Sequence, residues 1–415
     1  MTTTETMKQE MRAVLEDNIL RFWMEYMQDH EHGGFYGRMD SHNLLHPEAD
    51  KGAILNARIL WTFSAAYRVL SQLSTFRSAQ GDASHLKNYQ LSTYLEMATR
   101  AKRYFIDHFL DPEYGGVYWS VDYTGRPKDT KKQSYAIGFA IYGLSEYARA
   151  TGDQEALEHA IRLYHCLEEH ALDHDHGGYI EALTRDWQPI SDMRLSAYDA
   201  NYPKSQNTHL HIIEPYANLY RVWPSAELAQ SLRELITLFT DKILNPATHH
   251  LDLFFNMDWT RSPELLESYG HDIECSWLMH EAALVLGDKE ILACVEPIVR
   301  SVAAASEKGL RSDGAMIHEA NLTAGTVDDD RHWWVQAEAV VGFVNLYQHF
   351  GDKEALGKAL RCWQYIKEKL IDTEHGEWYW SRYADGTLNT VDDKAGFWKC
   401  PYHNGRMCLE ILERI

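Results

Sequence analysis

The sequence predicts an all-α protein built as a closed α/α toroid of six helical hairpins, with short β-like loops at one end. Three observations predict it. A short pattern of small residues, then alternating aromatic and polar residues, then a turn recurs along the chain. The intervals between its copies carry apolar residues at helical spacing. The last copy stays rich in aromatics and histidine (WYWSRY, then GFWKCPYHNGR). An open solenoid would instead end on a polar capping repeat.

The copies are HGGFYGRMD from His32, YGGVYWSVDYTG from Tyr114, HGGYIEALTRDW from His176, HLDLFFNMDWT from His250, SDGAMIHEAN from Ser312 and HGEWYWSRYADG from His375. They recur every 60 to 80 residues, roughly, a period that fits one supersecondary unit. Between them, ILNARILWTFSAAYRVL, YAIGFAIYGLSEYARA, TVDDDRHWWVQAEAVVGFVNLYQHF and KALRCWQYIKEKLI read as helices. Stop signals follow at TGD (Thr151), LGD (Leu286) and FGD (Phe350). Each interval holds two helices of about 12 to 16 residues and a short loop. A polar insertion, STFRSAQGDASH, is expected after the first pair. No Pro-, Gly- or Ser-rich linker divides the chain, so residues 1–415 are expected to form one catalytic domain.

Composition narrows the partners. Hydrophobic residues are 45% of the chain, enough for a sizeable core. A formal net charge of -21 repels phosphate backbones and anionic lipid, so neither nucleic acid nor membrane is an expected partner. The cysteines Cys166, Cys275, Cys294, Cys362, Cys400 and Cys408 form no CxxC pair, and most suit apolar helix positions. The start, MTTTETMKQEMR, lacks the apolar core of a signal peptide, and no run of about 18 apolar residues suggests a span. A reduced, cytoplasmic compartment is expected. GxGxxG, GxxxxGK[ST] and GxSxG are all missing, as is strand–helix alternation.

Chemistry-bearing residues cluster in four segments. Arg58 lies inside the apolar stretch GAILNARILWTF, and an arginine is rarely buried unless paired. Pointing into a cavity, it would stabilise an anionic oxygen. In NTHLHIIEPY, Asn207, His209, His211 and Glu214 crowd one helix start; His211 and Glu214 share a face, whereas His209 points elsewhere. His271 and Glu274 in YGHDIECSW are likewise three apart, so Glu274 could orient the imidazole. Trp398 and His403 precede the final helix. Histidine acid–base catalysis, a divalent metal held by His271 and Glu274, and hydrogen-bonded structural histidines are the competing readings. Several histidines in aromatic settings favour catalysis, and the lack of HExxH weighs against metal. The 13 Trp and 24 Tyr offer flat faces suited to a sugar.

At KGAILNARILWTFSAAYR, PKSQNTHLHIIEPYANLYR, GHDIECSWL, WWVQAEAVVGF and GFWKCPYHNGR, the sequence resembles the N-acylglucosamine 2-epimerase superfamily, and within it the branch acting on β-1,4-linked disaccharides. The resemblance covers nearly the whole chain and implies an (α/α)6 barrel that inverts C2 of a reducing-end sugar without cofactor or metal. It implies His271 and His403 as the acid/base pair, His211 as assistant in ring opening, Arg58 as the support of an enediolate oxygen, and Glu274 as the partner of His271. Trp333, Trp334 and Trp398 are then sugar-stacking residues; Tyr135, Asp199, Asn207 and Glu338 contact substrate or its neighbours. A disaccharide is the expected partner and a monomer the expected state. Alternatives are an aldose–ketose isomerase, an N-acetylglucosamine epimerase, a glycoside hydrolase using Asp199, Glu274 or Glu338 as opposed carboxylates, and a sugar-binding protein without catalysis.

Overall fold

The computed structural model describes residues 3–78, 85–197 and 199–415. Its helices are α1 (Thr3–Ala13), α2 (Arg21–Tyr26), α3 (Ala53–Ser78), α4 (His85–His108), α5 (Ser134–Thr151), α6 (Gln154–Cys166), α7 (Gln206–Val222), α8 (Ala226–Leu238), α9 (Tyr269–Leu286), α10 (Lys289–Ser306), α11 (Trp333–Phe350), α12 (Lys353–Tyr365) and α13 (His403–Arg414). The helices α3, α5, α7, α9, α11 and α13 each pack on the next, and α13 packs back on α3, which closes an inner ring. Their outer mates are α4, α6, α8, α10, α12 and α1. The pair α13–α1 joins the two ends of the chain, so the sixth hairpin is completed only when the ring shuts. This is an (α/α)6 barrel.

Burial separates the rings. In α5 every side chain from Ser134 to Ala148 is buried, because an inner helix touches neighbours all round. The outer α6 buries only Ala156, Ala160, Leu163 and Tyr164, a single stripe. The TGD, LGD and FGD signals stop one helix and start the next. Gly152, Gly287 and Gly351 take left-handed φ of 77°, 70° and 70°, and the following Asp153, Asp288 and Asp352 cap α6, α10 and α12.

Short antiparallel pairs link neighbouring loops at the N-terminal end of the inner ring. Lys51–Gly52 pairs with Ser120–Val121, Lys132–Gln133 with Ala182–Leu183, Lys204–Ser205 with Phe254–Phe255, and Arg331–His332 with Ser381–Arg382. Buried ion pairs pin four of these loops: Lys51–Asp29 at 2.7 Å, Lys132–Asp111 at 2.8 Å, Lys204–Asp173 at 2.6 Å, and Lys394–Asp372. In each, the other carboxylate oxygen accepts backbone N–H bonds from the turn, as Asp29 does from Glu31 and His32. The expected polar insertion lies inside the first hairpin rather than after it: residues 74–78 end α3, His85 opens α4, and residues 79–84 lie outside the described residues.

Candidate active site

All six inner helices begin at the looped end, and each sends a chemistry-bearing side chain inward from its first two turns. Arg58 comes from α3, Tyr135 from α5, His211 from α7, His271 from α9, Glu338 from α11 and His403 from α13. Six positive helix ends face this region, which favours negative charge there. At His211 the helix kinks (φ -90°, ψ 17°), because Pro215 has no N–H to offer the His211 carbonyl. That carbonyl instead lies against Gly138, where an added Cβ would sit 2.3 Å from it. Gly138 thus lets α5 approach α7 beside the histidine.

Arg58 is 3% exposed and, among the described residues, pairs with no carboxylate. Its Nη2 donates to the Tyr135 hydroxyl at 2.9 Å and its Nη1 to the Trp398 carbonyl at 3.4 Å, while Nε has no acceptor. The guanidinium lies 4.2 Å from the Phe139 ring centre and 4.7 Å from that of Tyr402. Burial works against its charge, but Tyr135, Cys400, Tyr402 and Glu274 outweigh it and hold the group cationic.

Arg406, one turn into α13, is fully buried and the reverse case. Its Nη2 donates to Glu274 at 2.6 Å and to Glu338 at 2.7 Å, and its Nη1 donates to Glu214 and to the Tyr402 hydroxyl. Tyr402 donates to Glu214 at 2.6 Å. Burial raises Glu274 well above the usual carboxylate range and raises Glu338, with mutual repulsion adding to the rise of Glu274. Burial would raise Glu214 too, but Arg406 and His211 pull it down to about 2. The carboxylates of Glu274 and Glu338 and the His403 imidazole come close enough to chelate an ion, but the Arg406 guanidinium already bonds both carboxylates.

The histidines hang from this cluster. His403 Nδ1 is 2.7 Å from Glu338, and His211 Nδ1 is 3.2 Å from Glu214. His271 Nδ1 is 2.8 Å from the Ser268 hydroxyl. Nε2 of His271 and of His403 has no hydrogen-bond partner among the described residues. Burial lowers His211 to about 4 and, with repulsion from His211 and His318, His271 to about 3; His403 falls well below the ordinary range. Burial thus favours the neutral form of all three at pH 7. Trp334 touches both acid/base candidates, at 4.9 Å from His271 and 5.7 Å from His403 between ring centres.

Two expected roles change. Glu274 is not the partner of His271: it turns to Arg406, and Ser268, just before α9, takes the imidazole. Trp333 is 2% exposed, its edge on His403 and Lys399 over its face, which leaves no face for a sugar. Trp334 and Trp398 keep partly open rings. His209, as its spacing predicts, faces away and accepts from the Tyr179 N–H at 2.9 Å.

A cavity of about 220 Å³ opens onto His271, lined also by Glu181, Asp199, Gln206, Asn207 and His318. Asp199 accepts from Ser196 there. Among the described residues, Asn207 Oδ1, Glu181 Oε1 and both amide atoms of Gln206 find no partner, which makes this a polar wall. Arg406, Tyr402, Ser268, Glu181 and Gln206 escaped the sequence reading. Arg406 alone carried a usable signal, the same one as Arg58: an arginine among apolar helix residues.

The fold and site define a carbohydrate-active barrel enzyme, and the comparisons place it. The N-acylglucosamine 2-epimerase (GlcNAc 2-epimerase) family matches residues 33–405, and the chain belongs to that family. It is 59% identical to a cellobiose 2-epimerase of Bacteroides fragilis, over 98% of this chain and 99% of that protein. A cellobiose 2-epimerase of Ruminococcus albus is 40% identical over 98% of each. Among solved structures, the cellobiose 2-epimerase of Bacillus thermoamylovorans superposes with a TM-score of 0.90 at 40% identity, covering 99% of this chain and 100% of that one. A mannanase of glycoside hydrolase family 76 from Bacteroides thetaiotaomicron shares only the fold, with a TM-score of 0.63 and 12% identity over 99% of this chain and 95% of that one. Fold alone therefore does not choose between epimerase and hydrolase.

Proposed function

We propose that the chain epimerises C2 of the reducing-end glucose of β-1,4-linked disaccharides, turning cellobiose into glucosyl-mannose and lactose into epilactose. One observation carries the reading: Arg58 is a buried cation with no counter-ion beside histidines held neutral. Such a site awaits an anion that exists only during reaction. A hydrolase reading needs separated carboxylates, whereas Glu274 and Glu338 both bond one nitrogen of Arg406.

The steps follow from proton chemistry. His211 assists ring opening, which exposes the C1 aldehyde and makes the C2 proton acidic. One of His271 and His403 removes it through Nε2. The enediolate oxygens take hydrogen bonds from Arg58, worth about 3 to 4 kcal/mol for one preorganised donor. Rotation about C2–C3 presents the other face, and the second histidine returns a proton. Glu338 accepts from His403 Nδ1 and so steadies the imidazolium that exists while Nε2 carries the proton. No electrons leave the sugar, so the reaction calls for no redox cofactor, and the acid–base roles call for no metal. Trp334, Trp398, Asp199 and Asn207 receive the sugars, and residues 1–415 act as one catalytic domain.

No helix among the described residues is long and apolar enough to cross a membrane. With the acidic net charge of -21, this supports a monomer acting in the cytoplasm on a neutral sugar. The test measures kcat/KM and product identity by NMR for cellobiose, lactose, glucose and N-acetylglucosamine. Mannose-type reducing ends from the disaccharides are expected. A preference for either monosaccharide contradicts the substrate assignment, and a ketose as main product makes the enzyme an isomerase.

A further inference from the structure

Beyond the sugar chemistry, we propose that His318, Asp328 and His332 form a binding site for a divalent transition-metal ion at the rim of the cavity. His318 lies in the SDGAMIHEAN copy of the repeat that starts at Ser312. Asp328 ends a hairpin in which Glu319–Asn321 pairs with Thr326–Asp328, and His332 lies in the strand leading into α11. One donor atom from each comes within 4.8 Å of the others. His318 Nδ1 is 2.8 Å from Asp328 Oδ2, and His332 Nε2 is 4.0 Å from the same oxygen. Ligands about 2.0–2.1 Å from an ion stand about 2.9 Å apart at right angles and about 4.1 Å apart when opposed. Both spacings are near those found here.

The surrounding charges leave Asp328 for this role. Arg311 and Arg331 pair with Asp329, and Arg331 pairs with Asp313. Asp328, among the described residues, pairs only with the two histidines. The site is reachable, since the His318 side chain is 22% and the Asp328 side chain 40% exposed. Two imidazoles and one carboxylate select zinc, cobalt, nickel or copper over magnesium or calcium. The imidazoles lie parallel, 4.2 Å apart between centres with a 4° interplanar angle. An ion cannot lie in both ring planes, so binding turns one ring and breaks the stack. His318 lines the same cavity as His271 and its ring lies 6.0 Å from that of Trp334. An ion with its waters there narrows the entry for sugar and repels a proton on His271, so occupancy inhibits turnover.

The test titrates Ni²⁺ into chelator-treated, desalted full-length protein by calorimetry, beside Asp328→Asn and His332→Ala. Wild type should bind one ion that Mg²⁺ and Ca²⁺ do not displace. Each variant should weaken that binding at least about tenfold, the low end of what even outer-shell changes cost a metal site. The inhibitory Ni²⁺ concentration should rise in parallel, while metal-free turnover stays at the wild-type level. The inhibition arm rests on the proposed epimerase reading; the binding arm does not. Equal affinity in wild type and both variants, or no saturable binding up to about 1 mM, would overturn the site.

Discussion

Two arginines are buried in the same barrel and act on the same histidines, His211 and His403, and they could hardly be more different. Arg406 binds three carboxylates and a tyrosine hydroxyl. Arg58 binds a hydroxyl and a carbonyl and packs on two aromatic rings; Nε of both arginines lacks an acceptor among the described residues, so the difference lies in the carboxylates. A cation already matched holds other groups in place. Arg58 is held cationic by its neighbours without a carboxylate pair of its own among the described residues, so its charge stays available to an anion that forms beside it. On the proposed function, Arg406 is architecture and Arg58 chemistry.

The sharpest way to break this contrast is to replace each arginine by methionine. Arg406→Met strands buried carboxylates and should cost about 3 to 5 kcal/mol of folding stability, read from the denaturant midpoint. Arg58→Met breaks two hydrogen bonds to neutral groups, at Tyr135 and the Trp398 carbonyl, and strands no carboxylate, so its loss of stability should be smaller, about 1 to 3 kcal/mol. Its turnover should fall about 10²- to 10³-fold, the cost of one oxyanion donor. A stable Arg406→Met or an unfolded Arg58→Met would reverse the assignment.

A somewhat smaller loss is expected one step out. His271→Asn and His403→Asn should each reduce kcat on the order of a hundredfold or more, since an amide cannot exchange a proton near neutral pH. Their circular dichroism and melting should match wild type. Near-normal turnover in both would remove the acid/base pair from the account.

Smaller still is the aromatic rim. Trp334→Ala should lower kcat/KM for cellobiose roughly fivefold, the value of about 1 kcal/mol of sugar–aromatic contact. Trp333→Ala, by contrast, should show its loss in melting temperature, because its ring is buried under Lys399. If the two variants exchange these signatures, the reading of which tryptophan meets sugar is wrong.

The least effect concerns the cavity wall. Burial pushes Glu181 from 4.5 up to about 7. The folded protein therefore holds its proton where the unfolded chain has released it, so this residue subtracts stability as pH rises from about 4.5 to about 7. Glu181→Gln should remove that slope, and its stability relative to wild type should be more favourable at pH 8 than at pH 4.

The fold was legible in sequence because three hairpins carry a glycine stop followed by an aspartate cap, and most of the turn copies pair glycine with aromatics. The six-fold closure was legible because the last repeat did not look like an end. What could not be read was which side chain meets which across the ring. His271 and Glu274 share a helix face, yet that face points to a centre where Arg406, from a helix far along the chain, competes for the carboxylate. Spacing along one helix says nothing about such rivals. Adjacent tryptophans pose the same difficulty: Trp333 and Trp334 are alike in sequence and opposite in exposure.

The central claim is that two histidines work on opposite faces of one enediolate. Isotope washout measures it most directly: incubate His271→Asn and His403→Asn separately with cellobiose and with glucosyl-mannose in D2O, and follow the C2 hydrogen by NMR. Each variant keeps one base, so each should exchange the C2 hydrogen of one epimer without inverting it, and the two variants should choose opposite epimers. Exchange of both epimers by either variant, or the same epimer by both, would contradict the two-face mechanism.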